Sequence, residues 1–310
     1  MKYFIITIDT EADNQWAKDS VLTTKNSHYI DRFQLLCEKY KFFPVYLTDY
    51  SMVSDSFYCS YMKEKIQDEL CEIGMHLHAW DTPPYHSIDT SNSKPYLIEY
   101  PKGVMEEKVR IITDKLEDTF QRKMKSHRAG RWAMNMQYAE ILVKNGYKVD
   151  CSVTPGVNWS NQKGSNIGGS DYSKAIDIPY YFDAENKLLE VPMTIKKMRY
   201  VNRMSSFSVR NVAKVTRDAL IGKNLWLRPS VCTEKEMYRL LDSVAASNTN
   251  YVEFMMHSSE FMPGGSPYYT SEKEIDGLFL VLEHLFEKIS ESYSGITLSN
   301  FANLINGEMK

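Results

Sequence analysis

The sequence predicts an α/β fold, a closed or nearly closed (β/α) barrel of about eight mainly parallel strands. Short β-branched or aromatic runs alternate with longer segments of helical period, which is the pattern of βα units. The number of such runs favours a barrel over an open doubly wound sheet, and no GxGxxG or P-loop spacing opens any helix. The 310 residues suffice for one barrel domain over 1–310, and no repeat or linker divides them.

The elements follow in order. Tyr3–Ile8 is the first strand, and Asn26–Tyr40 a helix with Ile30, Phe33, Leu36 and Cys37 on one face. Pro44–Leu47 begins the second strand. A helix near Tyr61–Leu70 leads to a strand at Glu72–His76. Met105–Lys123, with Val109, Ile112, Leu116 and Phe120 on one stripe, leads to a strand around Ser126–Arg131. Asn135–Asn145 is helical and stops at Gly146, suited to a left-handed C-terminal cap, before the strand Lys148–Val153. Further strands are predicted at Leu188–Thr194, Leu225–Leu227, Tyr251–Met256 and Gly295–Leu298, with loops at Asn158–Tyr172 and Pro263–Ser266.

Composition narrows the function classes. Hydrophobic and charged fractions of 43% and 25% are ordinary for a globular protein, and a net charge of −3 with scattered Lys and Arg offers no basic stripe for nucleic acid. Five cysteines, odd in number, widely spaced and without a CxxC, argue against a disulfide framework and a thiolate zinc site, and suit a reducing compartment. No segment approaches the roughly 20 apolar residues of a membrane span. The run Met1–Ile8 is too short for a signal peptide, so a cytoplasmic protein is expected, with a homo-oligomer left open.

In a parallel barrel, polar residues that directly follow apolar strands stand on the catalytic face. Asp9 and Glu11 end the first strand and, at a period of two, point the same way; a surface strand end would read identically. His76 and His78 repeat that spacing, which suits chelation of one metal, against the alternative of two buried histidines bonded to carbonyls. His86 reads as a surface residue. Arg128 and Arg131 offer guanidinium groups to hold a carboxylate ionised; Arg128 is the choice, and Arg131 reads equally as a structural ion pair or a substrate contact. His257 sits where a general acid could face a metal, although a lone histidine there is more often structural. Trp16, Trp80, Trp132 and Trp159 fall near strand ends, suited to stacking on sugar rings or to ordinary core.

Together these motifs resemble the polysaccharide deacetylase family (carbohydrate esterase family 4, nodulation-factor deacetylase-like). TIDTE at 7–11 resembles its first motif, EIGMHLHAW at 72–80 its histidine motif, HRAGRW at 127–132 its arginine motif, GYKVDCSVTP at 146–155 its Asp-Ser strand and FMMHSSEF at 254–261 its last motif. The HLH-Trp form followed by Thr82-Pro83-Pro84 is similar to the WalW-like branch. The resemblance implies a distorted (β/α) barrel of roughly seven or eight strands. Three departures stand out. Thr10 separates the two acids that the family usually places side by side. Trp80 stands four residues after His76 in place of the usual second histidine, so His78 supplies that ligand or the site is incomplete. Gly130-Arg131-Trp132 replaces the usual proline-aromatic pair.

Carried over residue by residue, the resemblance implies Asp9 as general base and Glu11, His76 and His78 as ligands of a divalent metal, zinc first and cobalt, nickel or manganese next, with the reverse roles of Asp9 and Glu11 left open. It makes His257 the general acid, Arg128 the partner of Asp9, and Trp80, Arg131, Trp132 and Asp150 substrate contacts. The activity implied is removal of an N-acyl group, N-acetyl first, from a saccharide; the missing signal peptide, apart from the resemblance, points to a small saccharide, a nucleotide sugar or a glycan precursor. A non-sugar amide substrate on the same fold and a degenerate saccharide-binding protein are the alternatives.

Overall fold

Strand β1 (Tyr3–Thr10) serves two cores with its alternate side chains. Phe4, Ile6 and Ile8 belong to the large cluster shared with the helices, whereas Ile5 joins a smaller cluster with Val45, Leu47, Val149, Leu189 and Tyr251. Thr7 and Asp9 have the parity of Ile5, so the inner face becomes polar toward the C-terminal end of the strand. The computed structural model describes residues 1–15, 21–86, 88, 94–182, 185, 187–199 and 220–307.

The later strands are β2 (Val45–Thr48), β3 (Glu72–Leu77), β4 (Ser126–Ala129), β5 (Val149–Asp150), β6 (Tyr180–Tyr181), β7 (Leu189–Glu190), β8 (Ile195–Met198), β9 (Lys223–Trp226), β10 (Tyr251–His257) and β11 (Ser294–Gly295). In the main sheet the order is β10-β1-β2-β3-β4-β5-β7-β6. Every pair from β10 to β7 is parallel, and β6 runs antiparallel on β7. The sheet curls as a distorted barrel whose wall is incomplete. No β7–β10 ladder forms among the described residues; the chain after β7 reaches β10 through Tyr251 Oη to Pro192 O at 2.7 Å and Glu253 N to Thr194 Oγ1 at 2.8 Å.

Helices pack outside this sheet. Helix α1 (Ile30–Lys39) buries Ile30, Phe33 and Cys37, and the Phe33 ring stacks on Phe261 at 4.5 Å between centroids. Helices α2 (Ser56–Gln67), α3 (Lys102–Phe120) and α4 (Met136–Lys144) follow, and Gly146 at φ 91° takes the left-handed position after α4 that its sequence predicts. Reciprocal caps start α5 (Glu234–Ala245) at Thr233 and Glu236, and α6 (Glu272–Ser290) at Ser271 and Glu274. Helix α7 (Leu298–Ile305) closes the base of the sheet, where Phe301 meets Tyr251 at 5.2 Å. No described helix is long and apolar enough to cross a membrane.

The predicted strands Lys148–Val153 and Leu188–Thr194 shorten to β5 and β7, and other predicted elements differ more. Leu225–Leu227 is no barrel strand: β9 pairs antiparallel with β8, and Lys196 and Lys197 make that ribbon too polar to be buried on both faces. The predicted strand Gly295–Leu298 stops at Gly295, because Thr297 accepts from Asn300 N and so starts α7. The strand at Ser126 ends at Ala129, and Arg131 lies in a 3-10 turn over Gly130–Trp132.

Candidate active site

The inward parity of four strands converges at one end of the barrel. Register pairs Asp9 of β1 with His257 of β10, and His76 of β3 with Arg128 of β4. Past the end of β1, Asn26 Nδ2 donates to Glu11 O at 2.9 Å and Glu11 N donates to Ser258 Oγ at 3.3 Å, which fixes the second acid. A cleft of about 660 Å³ opens over Asp9, Glu11, His76, His78 and His257. A cavity of similar size, about 680 Å³, lies at the opposite pole near Phe43, Glu72 and Met124, at the N-terminal ends of the strands. Because catalytic groups of parallel barrels collect at the C-terminal ends, the first cleft is the candidate site.

His76 Nδ1 lies 3.0 Å from Arg128 O, and a carbonyl only accepts, so Nδ1 carries the proton and Nε2 presents a lone pair inward. That Nε2 stands 3.1 Å from His78 Nε2 and 3.4 Å from Glu11 Oε2, and His78 Nε2 is 2.6 Å from the same oxygen. One ligand atom from each of the three residues lies within 4.8 Å of the others. With metal–nitrogen bonds of about 2.0–2.1 Å, two imidazoles on one tetrahedral ion stand about 3.3 Å apart. The donor types and the spacing of the two imidazoles therefore fit a divalent ion, while Glu11 Oε2 and His78 Nε2, at 2.6 Å, stand at hydrogen-bond distance. Gly130 makes room for this arrangement: a Cβ there would lie 2.6 Å from His78 Nδ1 and 2.4 Å from Leu77 O.

Asp9 is held differently from Glu11. Arg128, fully buried, donates from Nη1 to Asp9 Oδ1 at 2.6 Å and from Nη2 to Glu253 Oε1 at 2.6 Å and Thr7 Oγ1 at 2.7 Å. Burial alone would raise the pKa of Asp9, but Arg128, with His76 and His257, outweighs it and holds the carboxyl below its ordinary range. Glu253 shares the same cation and is pushed up to about 7, burial being the first cause. One guanidinium between two carboxylates thus favours ionised Asp9.

On the far side, His257 Nε2 lies 3.8 Å from Asp9 Oδ2 and 3.9 Å from Glu11 Oε1. Its Nδ1 is 2.8 Å from Glu260 Oε1, which also accepts from Arg228 Nη2 at 2.8 Å. Against burial, Arg228 and then His257 hold Glu260 down at about 2, so it stays a carboxylate beside Nδ1, which also lies 2.9 Å from Arg228 Nη2.

The cleft wall contains most of the predicted contacts. Trp80, Arg131, Trp132 and Trp159 all line it, and Trp80 packs on the His78 ring at 4.4 Å between centroids. Arg131 and Trp132 adopt left-handed backbone at φ 55° and 63°, costing about 1–3 kcal/mol each; Tyr172 Oη donates to Trp132 O at 2.6 Å and helps to hold the turn. Asp150 is not brought to the cleft: fully buried, it bonds His127 Nδ1 at 2.6 Å and Ser152 Oγ at 2.8 Å behind the arginine strand. His86 lies away from it, its ring 6.2 Å from Tyr100. Trp16 falls outside the described residues.

Sequence reasoning overlooked Glu253, Glu260 and Arg228. Two signals were present: Glu253 is an acid of inward parity in an apolar strand, and Glu260 follows His257 at capping-box spacing. Arg228 had no signal, since only the fold brings the chain after β9 against His257.

The sequence matches no family model and no curated protein. Solved structures match nearly its whole length. A Mycobacterium smegmatis protein described as a polysaccharide deacetylase aligns at 12% identity with a TM-score of 0.57, over 99% of this chain and 91% of its own. The 4-alpha-glucanotransferase from Thermococcus litoralis aligns at 11% identity with a TM-score of 0.55, over 97% of this chain and 39% of its own. Peptidoglycan deacetylase PdaC from Bacillus subtilis is also among the matches, at 10% identity and a TM-score of 0.44, over 99% of this chain and 93% of its own. These likenesses show the fold, a distorted (β/α) barrel that the chain shares with the Mycobacterium smegmatis protein and the glucanotransferase alike.

Proposed function

We propose that this protein is a metal-dependent hydrolase that removes an N-acyl group, N-acetyl in the first instance, from a saccharide. The observation that carries this reading is the convergence of His76 Nε2, His78 Nε2 and Glu11 Oε2 beside an Asp9 that Arg128 keeps ionised. Glu11, His76 and His78 would hold the ion, and two imidazoles with one carboxylate suit zinc first, then cobalt, nickel or manganese. When bound, it supplies Lewis acidity toward an acyl oxygen and toward water.

The chain's own groups do the rest. Asp9 Oδ2, the oxygen that Arg128 Nη1 does not engage, takes a proton from the attacking water. His257, carrying a proton on each ring nitrogen for this step, delivers the Nε2 proton to the departing amine nitrogen while Asp9 holds the one taken from water; without it expulsion of an amide anion would be prohibitive. Glu260 accepts from Nδ1 and keeps Nε2 aimed at the cleft. Trp80, Trp132 and Trp159 offer faces for sugar rings along the same opening. The five cysteines, all buried and unpaired, suit a reducing compartment, and hence a saccharide precursor made inside the cell.

The test is acetate release from N-acetyl sugars by protein stripped with chelator and then loaded with each metal. Release that returns with about one equivalent of metal supports the reading. Stoichiometric metal with release only from cyclic amides would reassign the substrate; intact folding without metal or turnover would leave only saccharide binding.

A further inference from the structure

Beyond the metal donors, the cleft has a basic wall that deacylation of a neutral sugar does not require. His78 packs on Trp80 at 4.4 Å between centroids, and on the same indole Lys94 Nζ lies 5.6 Å from the ring centroid. Arg131 Nη1 donates to Lys94 O and its Nη2 to Lys163 O at 3.0 Å, which ties the backbone of both lysines to Arg131; Lys94 Nζ donates to Gln15 O, and all three residues line the same cleft. The donors and the cations are one indole apart.

This wall is built rather than incidental. The Arg131 guanidinium lies 4.1 Å above the Tyr96 ring, on a backbone forced to φ 55°. Glu99 ties Tyr96 to the Lys163 loop, accepting from Tyr96 N at 2.6 Å, Ser165 N at 3.1 Å and Ile167 N at 2.9 Å. That carboxylate faces the backbone of the loop and is not part of the cleft lining. The acids in the lining are Asp9 and Glu11, on the floor and engaged by Arg128 and the histidines. Of the cations in the lining, Arg228 is engaged by Glu260 beside His257, whereas Lys94, Arg131 and Lys163 lie together on the wall tied by Arg131. Partial burial of Lys94 and Arg131 lowers the local dielectric and strengthens attraction to an anion.

We infer that the substrate is an anionic saccharide, with a phosphate or carboxylate seated on Lys94, Arg131 and Lys163 while its N-acyl group reaches the histidine end. The N–H groups of Arg131 not engaged by the two carbonyls, with the two ammonium groups, suit either oxyanion. The inference rests on the deacylase reading for which group lies at the floor, but the basic wall predicts selectivity in binding whether or not turnover occurs.

The test measures binding, by calorimetry and tryptophan fluorescence, of N-acetylglucosamine, its 1-phosphate and 6-phosphate, and N-acetylmuramic acid to metal-loaded protein at low and high salt. At least one anionic sugar is expected to bind about tenfold or more tightly than the neutral one, with the advantage shrinking as salt rises. The phosphate and carboxylate arms identify which anion the wall takes. Arg131→Gln and Lys163→Gln should each lower the anionic-to-neutral affinity ratio, and Arg131→Lys should retain part of it; a ratio is insensitive to partial unfolding. Equal affinity for neutral and anionic sugars, with acetate released from both, overturns this inference and leaves the deacylase reading intact. Anion-selective binding without any acetate release does the reverse. No binding of any saccharide overturns both.

Discussion

Arg128 Nη1 donates to Asp9 Oδ1 at 2.6 Å across the barrel interior, joining β4 to β1, strands that are not neighbours in the sheet. The same guanidinium reaches Glu253 on β10 at 2.6 Å, so one fully buried cation ties three walls together. Arg128→Met should leave both carboxylates uncompensated and cost about 3–5 kcal/mol of stability. Urea unfolding checks this, and a loss below about 1 kcal/mol would show that the network is dispensable.

Glu253 gives that network a pH dependence. Its folded pKa of about 7 lies above the ordinary 4.5, so between these values the folded protein keeps a proton that the unfolded chain has released. Stability from this group is complete below pH 4.5 and falls as pH rises through about 7. Relative to Glu253→Gln, the wild type should lose up to roughly 3 kcal/mol across that window. Parallel pH profiles for the two proteins would rule the effect out.

The two acids at the end of β1 should separate in their roles. Asp9→Asn is expected to lower turnover by ~10²–10⁴ while metal stays bound; His76→Ala and His78→Ala should weaken metal binding by about 100-fold or more. Metal content after dialysis, read beside kcat, distinguishes them. Loss of metal in Asp9→Asn would make Asp9 a ligand, as the reverse assignment holds.

Gly130 provides a test from packing alone. Gly130→Ala places a Cβ 2.4 Å from Leu77 O and 2.6 Å from His78 Nδ1, so the strand end that carries His78 must shift together with its ring. Metal affinity should fall by about 10–100-fold with the fold retained by circular dichroism. An unchanged affinity would mean that His78 does not contribute a ligand.

His257→Ala should lower turnover by ~10²–10⁴ with substrate binding preserved. Glu260→Gln should cost less, about 10–100-fold, and shift the pH–rate profile by removing the anion that holds Nδ1. Unchanged pH–rate profiles would assign Glu260 to the support of Arg228 alone.

Much of this site lies in local spacing. Asp9 and Glu11, and His76 and His78, share a face because a strand alternates with period two, and their place after apolar runs puts them at the catalytic end of a parallel barrel. The alternation of β1, β3 and β10 is equally local, as is the cap at Gly146. Strand length is not: β5 and β7 keep two residues each, because hydrogen-bond pairing depends on neighbours far away in sequence. The same holds for charge. That Arg128 serves Asp9 and Glu253, that Arg228 and Glu260 flank His257, and that Asp150 pairs with His127 instead of facing the cleft all follow from contacts between residues distant along the chain. Side-chain period decides which way a residue points on its own strand; only the curl of the sheet decides what stands opposite.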